Sequence, residues 1–152
     1  MVEKKSARVM PTSWLLIALA AMAALRLVFP IATVIPGPWG LAGIVLLALG
    51  VAMNLAADRA FHKAGTTVKP FEESSALLTS GVFRLTRNPM YLGFVLVLAG
   101  AAALLGSLTP WLVVPAFAVL IDRMYITVEE RMLAAKFGPA WQEYSRKTRR
   151  WL

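Results

Sequence analysis

Residues 87–130 read RNPMYLGFVLVLAGAAALLGSLTPWLVVPAFAVLIDRMYITVEE, and no side chain between Arg87 and Asp122 carries a charge. Helical crossings of the hydrocarbon core need ~20 apolar residues each. The run therefore predicts a hairpin of two spans, about 90–109 and 110–128, turning near Ser107-Leu108-Thr109. Its polar ends are Arg87-Asn88-Pro89-Met90-Tyr91-Leu92-Gly93 on one side and Glu129-Glu130, then Phe137-Gly138, on the other. Charges at the ends of membrane spans are costly. A hairpin brings both sets out on the same face, where they can meet and form a site.

Working outward, two further apolar stretches cover about 12–35 and 39–57, in a chain of 152 residues that is 59% hydrophobic with a mean hydropathy of +0.66. That apolar share exceeds what a soluble domain carries. The expected fold is an all-α polytopic membrane protein, with four transmembrane helices in one domain spanning residues 1–152.

The net charge of +8 is placed, not scattered. Lys4, Lys5 and Arg8 precede the first span; Arg59, Lys63, Lys69, Arg84 and Arg87 fall between the second and third; Arg131, Lys136, Arg146, Lys147, Arg149 and Arg150 follow the fourth. The connections around Pro36-Gly37-Pro38 and Ser107-Leu108-Thr109 carry none. By the positive-inside rule both termini and the central loop are cytoplasmic, at the inner membrane if the cell is prokaryotic. The basic balance is thus explained without nucleic acid. With no cysteine and a single His62, a metal site has too few ligands. The basic N-terminus reads as a retained span and not a cleaved leader, since the apolar stretch is long and lacks a small-residue cleavage site.

Arg26 lies in the outer half of the first span, where it either snorkels to headgroups or pairs within the bundle. Asn54 and Asp58, four apart, share a face at the inner end of the second span. The thirty or so residues 58–88 are too many for a turn, and Phe71, Leu77, Leu78, Val82 and Phe83 are too apolar for a disordered linker. The segment is expected to fold back as a cytoplasmic cap. Beyond the fourth span, Met132, Leu133, Phe137, Trp141 and Tyr144 recur at helical spacing. They predict an interfacial amphipathic helix, or a pair broken at Phe137-Gly138-Pro139, with the basic tail and Trp151 anchored to anionic lipid.

Asn88-Pro89 is a helix start: asparagine caps, and proline fits the first turn. The N–H groups that follow suit an anionic carboxylate. Arg123 and Glu130 are seven apart and on an ideal helix share a face. The plainer readings are that Glu129-Glu130 are solvated interface charges and that Tyr91 and Trp141 are interfacial aromatics. No Gly-x-Ser-x-Gly elbow, P-loop or Gly-x-Gly-x-x-Gly occurs in a suitable context. Arg, Glu, Tyr and Asn around a membrane pocket suit a reaction run by alignment and electrostatics on a cofactor's reactive group.

Arg-Asn-Pro-x-Tyr-x-Gly before one span and Glu-Glu-x-x-Leu-x-x-x-Phe-Gly-x-x-Trp-x-x-Tyr after the next resemble the isoprenylcysteine carboxyl methyltransferases and related phospholipid methyltransferases. The likeness covers about residues 66–144. It implies a membrane methyltransferase using S-adenosylmethionine on a lipophilic or amphiphilic acceptor, with membrane lipids as surroundings. It further implies that Leu78, Val82, Arg87, Asn88, Tyr91, Leu92, Glu129 and Glu130 line the cofactor site. Glu130 is then the candidate catalytic carboxylate, and Arg123 the candidate clamp on the acceptor. Asn88 departs from the pattern, because carboxyl methyltransferases typically carry histidine there; asparagine hydrogen-bonds but does not titrate near neutrality. The alternatives are a phospholipid-amine N-methyltransferase or a non-catalytic four-helix membrane assembly protein. Without internal repeats a transporter is disfavoured.

Overall fold

A computed structural model describes residues 9–152; Lys4, Lys5 and Arg8, which contribute to the charge argument for topology, lie outside it. The described chain is helical, its only strand-like feature being an antiparallel bridge between Thr33 and Ser107. The helices are α1 (Pro11–Val28), α2 (Ala42–Lys63), α3 (Pro89–Leu105), α4 (Leu108–Ile121), α5 (Thr127–Phe137) and α6 (Pro139–Lys147). A 3-10 turn, Gly37–Leu41, leads into α2, and a π-helical turn, Asp122–Ile126, joins α4 to α5. Three continuous helical stretches are long and apolar enough to cross a membrane: Pro11–Val28, Gly37–Lys63 and Leu108–Phe137. The apolar α3 is shorter, with 17 residues.

The boundaries shift from the expected ones for identifiable reasons. The first helix stops at Val28 and not near 35, because residues before Pro30 and Pro36 are disfavoured in helical conformation. The segment that follows runs extended against the α3–α4 turn, with Val34 N–H donating to Gly106 O (2.9 Å) and Leu108 N–H to Ala32 O (2.9 Å). The second helix continues past the apolar stretch through Asp58 and Arg59 to Lys63. The hairpin turns at Gly106-Ser107, one residue earlier than expected; Gly106 takes φ 68°, a left-handed conformation natural to a glycine helix stop.

Packing begins with α2 against α3. Gly43 and Gly50 on one, Gly100 and Gly93 on the other, are each seven apart and meet in antiparallel register. A Cβ on Gly50 would stand 2.5 Å from Gly93 O, and one on Gly100 2.5 Å from Gly43 O. Small residues here let the backbones touch, the usual device where helices associate without a hydrophobic gradient. Met22, Leu98, Phe117, Ile121 and Tyr125 fill the core among α1, α3 and α4. Leu27, Trp39, Leu49, Leu112 and Val119 face outward, a surface suited to lipid. Arg26 is exposed, and its Nε–H donates to Leu105 O (3.0 Å), capping the C-terminal end of α3.

A second cluster places Ala57 and Phe83 with Trp141 and Tyr144, joined by Phe61, Leu77, Leu78, Leu133 and Phe137. The helical break falls at Gly138, where Phe137-Gly138-Pro139 marked it. The apolar side of this helix pair is turned onto α2 and the central loop, so it does not form the membrane-facing stripe anticipated from periodicity. The loop offered an apolar partner closer than the lipid.

Candidate active site

The two signatures meet. Pro89 opens α3, so Arg87 and Asn88 sit at its entry and Tyr91 within its first turn, while α5 carries Glu129 and Glu130 in its own first turn. Arg87 Nη2 lies 3.2 Å from Glu130 Oε1, and Tyr91 Oη donates to Glu129 Oε1 at 2.7 Å. The Arg87 guanidinium stacks over the Trp141 ring at 5.5 Å from its centroid and donates from Nη1 to Ser145 O (3.3 Å). These contacts line a cavity of about 580 Å³. Its polar end holds Arg87, Asn88, Tyr91, Glu129 and Glu130; Phe61, Leu78, Phe83, Phe94 and Leu133 supply apolar wall. The size falls within the ~300–1,000 Å³ range of small-molecule sites.

The central loop forms one side, as the cap expectation required. Phe71 stacks on Tyr125 with ring centroids 5.4 Å apart, and it adopts φ 62°, a conformation that a non-glycine residue holds only when its surroundings impose it. The loop is tied down by Thr67 Oγ1 donating to Glu72 (2.8 Å) and by the Lys136–Glu73 pair (3.5 Å). Tyr144 Oη donates to Phe83 O at 2.7 Å. Burial pushes the Tyr144 hydroxyl up to about 12, against the opposing influence of Arg87, so it remains a protonated donor.

Of the residues expected to form a site, Leu78, Arg87, Asn88, Tyr91, Glu129 and Glu130 line this cavity. Leu92 is buried in the helix packing, and Val82 packs into the second cluster behind the wall. Arg123 is not brought to the cavity. It is exposed and borders a separate depression with Asp122, Arg150 and Trp151. The cause is the π-helical turn: its wider winding breaks the seven-residue coincidence of faces on which the pairing of Arg123 with Glu130 rested. Thr127 Oγ1 donates to Asp122 O (2.9 Å), satisfying a carbonyl in the widened turn.

Sequence reasoning missed Arg150. The basic tail was expected to lie on lipid, yet Arg150 turns back, with Nη2 2.5 Å from Glu130 Oε2 and Nη1 3.2 Å from Asp122 Oδ1. Its hydrogen bond to Glu130, foremost, raises its pKa above the ordinary arginine value. The available signal was Asp122 itself: an acid at the end of a membrane span requires a cation.

The donor set fits S-adenosylmethionine: guanidinium and helix N-terminus for its carboxylate, carboxylates for its cationic groups, apolar wall for its adenine. Arg87 Nε, buried and without a hydrogen-bond partner among the described residues, is a donor left over at the polar end.

Known proteins resemble parts of this chain. Over 63 residues the chain is 40% identical to an uncharacterised protein of Haemophilus influenzae, covering 41% of this chain and all of that protein. Over 74 residues it is 31% identical to a protein-S-isoprenylcysteine O-methyltransferase of Schizosaccharomyces pombe, and over 78 residues 38% identical to protein-S-isoprenylcysteine O-methyltransferase A of Arabidopsis thaliana. These alignments take in 47% and 49% of this chain but only 30% and 38% of those two enzymes. Residues 39–140, which include the α2–α3 packing, the central loop and both signatures, match the phospholipid methyltransferase family model, and the chain belongs to that family.

Proposed function

We propose that the protein is an S-adenosylmethionine-dependent membrane methyltransferase, with one domain formed by residues 1–152 and an acceptor that is lipophilic or amphiphilic. The observation that carries this reading is the union of the two signatures on one cavity wall through the Arg87–Glu130 pair. The chain would cross the membrane four times, α3 included, with both termini and the cavity on the cytoplasmic side.

When bound, the donor would supply a sulfonium-activated methyl group for direct transfer to the acceptor's lone pair, its sulfur keeping the electron pair of the broken S–CH3 bond as a thioether. The residues do the remainder. Arg87 and the α3 N-terminus orient a carboxylate. Glu129, which has no cationic side chain paired with it among the described residues, faces the donor's positive charge; it takes the role for which the family resemblance made Glu130 the candidate. The wall of Phe61, Leu78, Phe94 and Leu133 excludes water, so rate comes from alignment and a dry environment.

A carboxylate at the end of a greasy chain is the acceptor suggested by the two named relatives, and a phospholipid amine is the second reading, favoured by the family match. Asn88, where carboxyl methyltransferases typically carry histidine, donates from Nδ2 to Arg150 O (3.1 Å) and is assigned a structural role. Calorimetry of the folded, detergent-solubilised protein is expected to show saturable binding of S-adenosylhomocysteine with Kd below about 1 mM. Absence of binding at that concentration overturns the reading. Labelled S-adenosylmethionine offered with native membrane lipid would identify the acceptor by what becomes labelled.

A further inference from the structure

Past α6 the chain does not leave the protein. Thr148 is buried, Trp151 packs against the main core, and the tail runs beside the entry to α3. Two successive tail carbonyls receive three donors from that entry: Arg87 N–H to Arg149 O (2.9 Å), Thr86 Oγ1 to Arg150 O (2.9 Å) and Asn88 Nδ2 to Arg150 O (3.1 Å). Thr86 Oγ1 also accepts from Asn88 N–H (3.1 Å). The same residue then reaches the other signature with its side chain. Arg150 Nε and Nη2 donate to the two Glu130 oxygens (3.2 and 2.5 Å), and Nη1 donates to Asp122 (3.2 and 3.4 Å). With Arg87 on Glu130, the charges form one chain, Asp122–Arg150–Glu130–Arg87. Arg150 itself does not line the cavity, whereas Glu130 and Arg87 do.

We propose that Arg150 is a positioning residue of the methyl-donor site, acting through Glu130 to hold the Arg87 guanidinium and through its carbonyl to hold Asn88. The inference rests on the methyltransferase reading above. A guanidinium suits the task because its planar fork holds Glu130 through two parallel donors while a third reaches Asp122, a fixed geometry that the point charge of an ammonium does not reproduce. Glu130 has a guanidinium on either side and is thereby a keystone, leaving Glu129 as the carboxylate available to a cationic ligand. Without Arg150, Glu130 is held from one side only, Asp122 keeps no ion-pair partner among the described residues, and the Arg87 side chain gains freedom that donor binding must then remove.

The test measures S-adenosylhomocysteine affinity by calorimetry and thermal unfolding on full-length protein in detergent, for wild type, Arg150→Gln, Arg150→Lys and Trp151→Ala. The expected order is roughly tenfold or greater loss of affinity for Arg150→Gln and about fivefold for Arg150→Lys. Trp151→Ala removes tail packing without touching the ion chain, so it lowers the unfolding temperature while affinity stays within twofold. Folded Arg150→Gln binding within twofold of wild type overturns the proposal, and so does Trp151→Ala losing as much affinity as Arg150→Gln. Should Arg150→Gln fail to fold, Arg150→Lys decides, and binding within twofold of wild type overturns the proposal. Failure of the wild type to bind sinks the methyltransferase reading itself; a binding wild type with an indifferent Arg150 sinks only the positioning role.

Discussion

Glu130 lies between the guanidiniums of Arg87 and Arg150, whereas its neighbour Glu129 meets the Tyr91 hydroxyl. The two glutamates should therefore respond differently to the same change. Glu129→Gln is expected to weaken binding of S-adenosylmethionine about tenfold or more while the unfolding temperature holds, and Tyr91→Phe to weaken it less, by the loss of one charge-assisted hydrogen bond worth ~1.5–3 kcal/mol. Glu130→Gln should lower affinity and unfolding temperature together, since it leaves two half-buried guanidiniums facing each other. Calorimetry and thermal unfolding on the three variants check the split; equal behaviour of the two glutamine variants would contradict it. At this scale the sequence singled out Arg87, Tyr91, Glu129 and Glu130, which line one cavity, but not their pairing. Adjacent letters on a helix point about 100° apart, and which one meets the tail depends on a contact twenty residues away.

The elements were legible where a local rule governs them and obscure where a distant partner does. Pro89 after Asn88 marked the start of α3, and Gly138-Pro139 marked the α5–α6 break. The π-helical turn at Asp122–Ile126 leaves no such mark, and it displaced Arg123 from the face assigned by counting. Trp141 and Tyr144 of the anticipated amphipathic stripe are buried in α6, whereas α5 buries none of its residues, and periodicity does not say whether lipid or protein covers such positions. Helix α2 offers the clearest test of the packing. Gly50→Val would press a side chain onto the Gly93 carbonyl and Val97, and is expected to cost ~1–3 kcal/mol or more of stability. Leu49→Val, one residue away on an exposed position, should be nearly neutral. Thermal unfolding in detergent compares the two directly.

For the whole molecule, the charge distribution argues for a cytoplasmic central loop and an outer α1–α2 connection. The absence of cysteine makes this simple to test. Thr79→Cys in the loop and Ile31→Cys in the connection, both exposed, should react with a membrane-impermeant maleimide from opposite sides: the first only in inverted vesicles, the second only in right-side-out ones. Labelling of both from one side would refute the four-span topology. The long apolar helices were readable because hydropathy acts over whole segments, whereas the cavity depends on a loop and a tail whose destinations are set by tertiary contact. One dimension of α3 bears on how a greasy acceptor is reached. Its 17 residues extend about 25 Å, against ~30 Å for the hydrocarbon layer it would cross. On the proposed topology that mismatch is relieved by local thinning or by drawing one end of the helix inward. The end that carries Arg87, Asn88 and Tyr91 is the one already furnished with polar partners. On that topology a donor site recessed there would sit level with the acyl chains nearest the headgroups, and an anchored acceptor would reach it by sideways diffusion, without being lifted from the bilayer.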